Sequence, residues 1–161
     1  MNKEYKYNCK VEFEDCDIQN IVHHPKLLCY LERARIDSMK NTELSYKNLL
    51  KNDMGFVITD LKTKFILPAF FGEKLTIVSR VSGVYAHCIK MDQIILKTDD
   101  IELPIDNWIN NEKTVLCCSI RFSIVNNKTN KPIENYKEIL KKLNLDNNNN
   151  IKSVYFKHPF N

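Results

Sequence analysis

No run of about 18 apolar residues, the least a helix needs to cross a bilayer, occurs in these 161 residues. The N-terminus MNKEYKYNCK lacks the apolar core of a secretion signal, and two lysines and a glutamate within its first six residues suit a transit peptide poorly. The expected location is therefore cytoplasmic. Cysteine is present, 6 in all, but no C-x-x-C pair occurs, and the adjacent Cys117 and Cys118 would face opposite sides of a strand. Reduced thiols acting as small apolar side chains are expected, with neither a disulfide framework nor a metal site. Basic residues form no stripe either: the net charge of +4 is mild and spread along the chain, which argues against nucleic acid as a partner. Internal repeats are absent. With 3 glycines and 5 prolines, punctuation is sparse, so each turn signal carries weight.

What is present suits one globular domain, 43% hydrophobic and 27% charged. We expect that domain over residues 1–146, followed by a C-terminal extension, 147–161, opening on the asparagine run Asn147–Asn150. Tyr7, Cys9, Val11 and Phe13 alternate with polar residues, the period of a half-buried strand. Phe56–Leu67, Glu73–Gly83 and Val84–Lys97 read as three further strands, with Pro68 and Gly72 marking the first turn and Gly83 the second. Thr114–Val125 alternates Leu116, Cys118, Ile120, Phe122 and Ile124 with Cys117, Ser119, Arg121 and Ser123 and reads as a fifth. Short connections make neighbours antiparallel. Asn41–Asp53 suggests a short helix with Ser45 as cap and Gly55 past its end, and Asn135–Leu143 another. Between the fourth and fifth strands, the polar segment Asp99–Lys113 reads as a loop. A long helix against about five antiparallel strands makes the fold class α+β.

Everything is organised around Glu14–Arg35, EDCDIQNIVHHPKLLCYLERAR. Pro25 suits the first turn of a helix, where its missing N–H would have had no partner, so the helix should begin near His24. Leu27, Leu28, Leu31, Ala34 and Ser38 recur at spacings of three and four and give it one small aliphatic face. A helix N-terminus presents unpaired N–H groups and positive potential, and Asp17 precedes it closely enough for a turn to fold its carboxylate back over those amides. A carboxylate beside backbone donors is the minimum equipment for acyl transfer, with the acid as nucleophile or base and the amides as oxyanion hole. The competing reading is an Asp that merely caps the helix.

The pattern E-D-x-D-x-x-x-x-V-x-H-x-x-x-x-x-x-x-E-R-A-R, carried by Glu14, Asp15, Asp17, Val22, His24, Glu32, Arg33, Ala34 and Arg35, resembles the opening signature of hotdog-fold acyl-CoA thioesterases of the 4-hydroxybenzoyl-CoA thioesterase/YbgC group. FILPAFFGEKL, Phe65–Leu75, is similar to that family's aromatic-x-x-Pro-Ala stretch. The resemblance implies a hotdog fold, a long central helix wrapped by an antiparallel sheet. It implies an acyl-CoA substrate, no separate cofactor, and a site built at a homodimer or homotetramer interface. Mild positive charge suits the phosphates of coenzyme A, for which Arg80, Lys90 and Arg121 are strand-borne candidates. The resemblance further implies that Asp17 is the catalytic carboxylate, that the backbone N–H at His23 polarises the thioester carbonyl, and that His24 orients the pocket or assists proton transfer. Gln19 and Asn20 replace the family's small residues and would meet the substrate, as would Glu32. Relative to the family, residues 99–113 look like an insertion. The alternative functions are a non-catalytic acyl-CoA-binding hotdog protein and a hotdog dehydratase.

Overall fold

The structure, a computed structural model, describes residues 4–85, 87–98, 102 and 112–133. The expected helix at Asn135–Leu143, the C-terminal extension and nearly all of the 99–113 segment lie outside the described residues. Five strands form one antiparallel sheet: β1 (Glu4–Lys10), β2 (Met54–Phe65), β3 (Lys74–Val84), β4 (Ile89–Leu96) and β5 (Thr114–Asn126), in the order β1-β3-β4-β5-β2. Against one face lies α1, His24–Met39; a shorter helix, α2, spans Tyr46–Lys51 beside β2. This is the hotdog arrangement expected from the signature.

Pro25 fixes the start of α1 at His24, as its missing N–H predicted. The helix buries Leu27, Leu31 and Ala34 as the periodicity requires, but Tyr30, Arg35 and Met39 join them, while Leu28 and Ser38 are only half-buried. Under the helix, Leu75, Ile77, Ile95, Leu116 and Ile120 are inaccessible to solvent and form the core with it. The sheet's opposite face carries a second buried cluster of Val78, Ile94, Leu96 and Cys117, so β3, β4 and β5 are apolar on both sides along their middles.

Three local expectations are corrected. The first strand does not run into the signature: β1 ends at Lys10, and a 3-10 turn, Phe13–Asp15, follows. Gly55 does not close α2; Asp53 takes the left-handed conformation there (φ 52°), and Gly55 lies inside β2, where a Cβ would stand 2.8 Å from Asn127 Oδ1. Gly83 is not a turn but part of an irregularity in β3, and the strands reverse between Val84 and Ile89, where the Tyr85 N–H donates to the Cys88 carbonyl. Gly72 does serve the β2–β3 connection as expected, at φ 81°, a conformation that costs a residue with a Cβ far more.

Candidate active site

Residues 16–22 form a tight hairpin: Cys16 and Val22 make an isolated antiparallel bridge, and the Asp17 N–H donates to the Ile21 carbonyl. It is fastened to the connection after β2, where Ile21 bridges Phe70 and the Val22 N–H donates to the Ala69 carbonyl. Asn20 closes the turn at φ 63°. Asparagine tolerates this left-handed region better than any residue except glycine, so the turn is made without the small residue the family signature has there.

Asp17 stands exposed on this hairpin. Its Oδ1 accepts from the Gln19 N–H at 2.8 Å and the Ile21 N–H at 3.2 Å. No described residue donates to its Oδ2. The amides that hold the carboxylate are thus those of its own turn, not those of the helix start. Gln19 and Asn20 share the turn and are exposed beside it.

At the helix start the two histidines are exposed, and their rings stack with centroids 5.6 Å apart. The ring of His24 also meets Phe65, at the end of β2, edge to face at 6.2 Å. The two backbone amides differ. The His23 N–H donates to the Asp15 carbonyl at 2.8 Å, so it is already engaged. For the His24 N–H no acceptor lies within hydrogen-bond distance among the described residues. Pro25 has no N–H, and the Lys26 and Leu27 amides both turn to the His23 carbonyl. The donor this helix start offers is therefore at His24, one residue later than the signature suggested.

Two residues before Asp17, Asp15 has the opposite surroundings. It is buried, 4% exposed, in the 3-10 turn rather than on a continuing strand. Its carboxylate accepts from the Tyr30 hydroxyl at 2.5 Å and the Glu12 N–H at 3.3 Å and pairs with Lys26 Nζ at 3.1 Å. Burial pushes its pKa up, but the hydrogen bonds from Tyr30, Lys26 and Glu12 outweigh that and hold it below the usual carboxylate value. Burial and the same contact push the Tyr30 hydroxyl pKa upward. Tyr30 and Lys26 were not foreseen; their spacing of four residues, which puts both on one helix face, is the signal that could have found them.

Glu32 lies eight residues beyond His24, about 12 Å along the helix, and is not brought to Asp17 within one chain. It lines a cavity between α1, α2 and β2 together with Arg35 and Phe56. Of the basic candidates for phosphate, Arg80 is buried, 8% exposed, 3.5 Å from Glu4, and burial lowers its pKa. Arg121 is exposed, its guanidinium over the Tyr85 ring at 5.8 Å. Among the described residues no group of three or more His, Cys, Asp or Glu could hold a metal ion, and no helix is long and apolar enough to cross a membrane.

Helix, wrapped sheet and a carboxylate-bearing turn before the helix define a hotdog protein with an exposed acid, Asp17, on the hairpin that leads into the helix. Residues 11–143 match the model of the thioesterase-like superfamily, and the chain belongs to that family. It is 31% identical over 139 residues to the acyl-CoA thioesterase YbgC of Helicobacter pylori, an alignment covering 82% of this chain and 96% of that protein. Two solved structures share the fold. A 1,4-dihydroxy-2-naphthoyl-CoA thioesterase from Synechocystis superposes with a TM-score of 0.72 at 16% identity, covering 91% of this chain and 100% of the other. A Staphylococcus aureus protein solved in complex with CoA superposes with a TM-score of 0.74 at 10% identity, over 90% of this chain and 84% of the other.

Proposed function

We propose that this protein hydrolyses acyl-CoA thioesters to the free acid and coenzyme A. The observation that carries the reading is the succession, among the described residues, of an exposed Asp17 with one oxygen uncommitted and a helix start whose His24 N–H has no acceptor. The thioester carbonyl oxygen receives the His24 N–H, reinforced by the positive end of the helix dipole, where negative charge grows as the carbonyl carbon becomes tetrahedral. Asp17 Oδ2 supplies the other half. It either attacks the carbonyl carbon, forming an acyl-aspartate anhydride as the C–S bond breaks, or takes a proton from a water that attacks instead. In both routes the thiolate leaves and is protonated, and one water is consumed. The bonds from the Gln19 and Ile21 amides keep the carboxylate aimed. The stacked His23 and His24 rings wall the approach.

The test is release of free thiol from a panel of acyl-CoA substrates by the wild type and by Asp17→Asn. Thiol release by the wild type that the variant loses supports the reading; equal release by both removes Asp17 from the chemistry. A single turnover in heavy-oxygen water separates the two routes. If Asp17 attacks and water then opens the anhydride at the Asp17 carboxyl carbon, the first acid product is unlabelled and Asp17 carries the label. Direct attack by water labels the product at once.

The same reading includes a homodimer or dimer of dimers. β2 is a sheet edge 12 residues long with Val57, Ile58, Leu61 and Phe65 exposed, and such an edge is a template for pairing with another chain. Because Phe65 touches His24, a second copy seated on this edge borders the helix mouth. Sedimentation equilibrium at micromolar concentration should give at least twice the 19.0 kDa subunit mass; a monomer overturns the dimer.

A further inference from the structure

Arg35 is 8% exposed, yet no carboxylate lies within ion-pair distance of it among the described residues. Its one acceptor there is neutral: Nη1 donates to Gln93 Oε1 at 3.0 Å. Gln93 is itself fixed, with Nε2 donating to the Leu31 carbonyl and to Ser79 Oγ, both at 2.9 Å. A buried charge held only by a neutral amide is an expensive arrangement that a counter-ion would relieve. Burial lowers the Arg35 pKa, and Glu32 opposes this by charge alone from the preceding turn.

Arg35 is also one of the residues lining the cavity between α1, α2 and β2, whose other walls include Ile36, Tyr46, Phe56 and Ile58. One face of β2, carrying Ile58, Leu61, Thr63 and Phe65, leads from that cavity toward the helix mouth. β2 runs back along α1, so that Phe65 meets His24 at one end while Ile58 reaches the cavity at the other. Ile58 and Leu61 are 50% and 42% exposed along the way.

We propose that this face and the cavity hold the acyl group of the substrate, and that Arg35 pairs with a carboxylate at its far end, making ω-carboxyacyl thioesters, the half-thioesters of dicarboxylic acids, the preferred substrate class. The inference rests on the thioesterase reading of the helix mouth. Its length follows from the helix. Gln93 ties the guanidinium to the level of Leu31, seven residues past His24, about 10 Å at 1.5 Å per residue. An extended chain advances about 1.2 Å per bond, by the reach of an extended backbone, so about eight to ten carbons span the gap. A methyl terminus would dehydrate the guanidinium without pairing it. A carboxylate instead receives a charge-assisted, fork-shaped pair of hydrogen bonds. Glu32 is exposed on the cavity's rim and can keep its carboxylate in water.

The test compares thiol release from sebacoyl-CoA and decanoyl-CoA, equal in chain length and differing in the far-end carboxylate. Wild type should favour sebacoyl-CoA in kcat/KM by about tenfold or more, the scale of one desolvated charge pair. In Arg35→Met the preference should vanish; because that variant also loses the Gln93 contact, Ile58→Trp, which obstructs the cavity from an exposed strand position, should independently reduce the ratio. A wild-type preference for decanoyl-CoA, or a ratio unmoved by both variants, overturns the inference. Calorimetric titration of the non-hydrolysable thioethers S-(9-carboxynonyl)-CoA and S-decyl-CoA into the wild-type protein separates it from the catalytic reading. Binding of the carboxylated analogue about tenfold tighter, lost in Arg35→Met, upholds the site even where no thiol is released, and equal binding of the two analogues overturns it even where hydrolysis is brisk.

Discussion

Asp15 and Asp17 are two residues apart, chemically identical, and placed in opposite worlds. Asp15 is buried with a tyrosine hydroxyl, a lysine and a backbone amide on it; Asp17 is exposed, with one oxygen tied to its own turn and the other without a partner among the described residues. The 3-10 turn makes the difference: it swings the first carboxylate inward under α1, and the hairpin that follows leaves the second in solvent. Asp15 also acts on the site through its backbone, because its carbonyl takes up the His23 N–H and leaves His24 as the available donor. One acid builds the mouth, and the other, in the function proposed above, works in it.

Substitutions should separate those roles. The largest effect is expected at Asp17, where Asn keeps the shape and removes nucleophile and base together. Turnover should fall by roughly 10²–10⁴, while the urea midpoint stays near that of the wild type. Asp15→Ala should do the reverse, destabilising the fold by about 3 kcal/mol as the buried Tyr30 hydroxyl and the Glu12 amide lose their charged acceptor, with turnover per folded molecule changed far less. Equilibrium denaturation followed by circular dichroism, alongside active-site-normalised rates, reads both; a stable, inactive Asp15→Ala would collapse the distinction.

Tyr30→Phe sharpens the comparison more gently, costing about 1–3 kcal/mol for the charged acceptor it leaves short of a donor. It also predicts a pH signature. Asp15 has its pKa depressed in the folded state, so its stabilisation is present above the unfolded carboxylate pKa and is lost as pH falls through the folded value. Without the Tyr30 hydroxyl the folded pKa rises, and acid unfolding should begin at higher pH than in the wild type. Overlapping acid-unfolding curves would mean that Lys26 and Glu12 hold the carboxylate alone. The smallest effects belong to Asn20: Gly should be neutral within a few tenths of a kcal/mol, and Ala should cost about 1 kcal/mol, for the left-handed backbone there. A fully stable Asn20→Ala would place that turn in another conformation.

Local rules made the centre of this chain legible. Pro25 fixed the helix start, the aliphatic spacing named Leu27, Leu31 and Ala34 as buried, and the signature drew attention to Asp17. Rules of period two failed where the chain left the strand, because nothing in alternating polarity announces a 3-10 turn, and so the alternation was followed through Val11 and Phe13 past the strand's end at Lys10. Glycine misled for a related reason: asparagine and aspartate can take left-handed backbone, and here Asn20 and Asp53 did, while Gly55 and Gly83 stayed in strands. The shift of the free amide from His23 to His24 depends on one carbonyl in the preceding turn. The Arg35–Gln93 contact joins residues 58 positions apart, which no local pattern reveals.

The position of β2 also bears on how the chain is made. It is the second strand synthesised, yet its one neighbour in the sheet is the fifth, with Phe65 paired to Leu116 and Met54 to Asn126. About 50–70 further residues must be translated before that partner exists, on the order of 3–14 s at ordinary synthesis rates. Throughout that interval the nascent chain displays Val57, Ile58, Leu61 and Phe65 with nothing to zip against. The strand that borders the helix mouth is therefore also where a ribosome-bound chain is most exposed to chaperones or to premature pairing with a neighbouring copy on the same message.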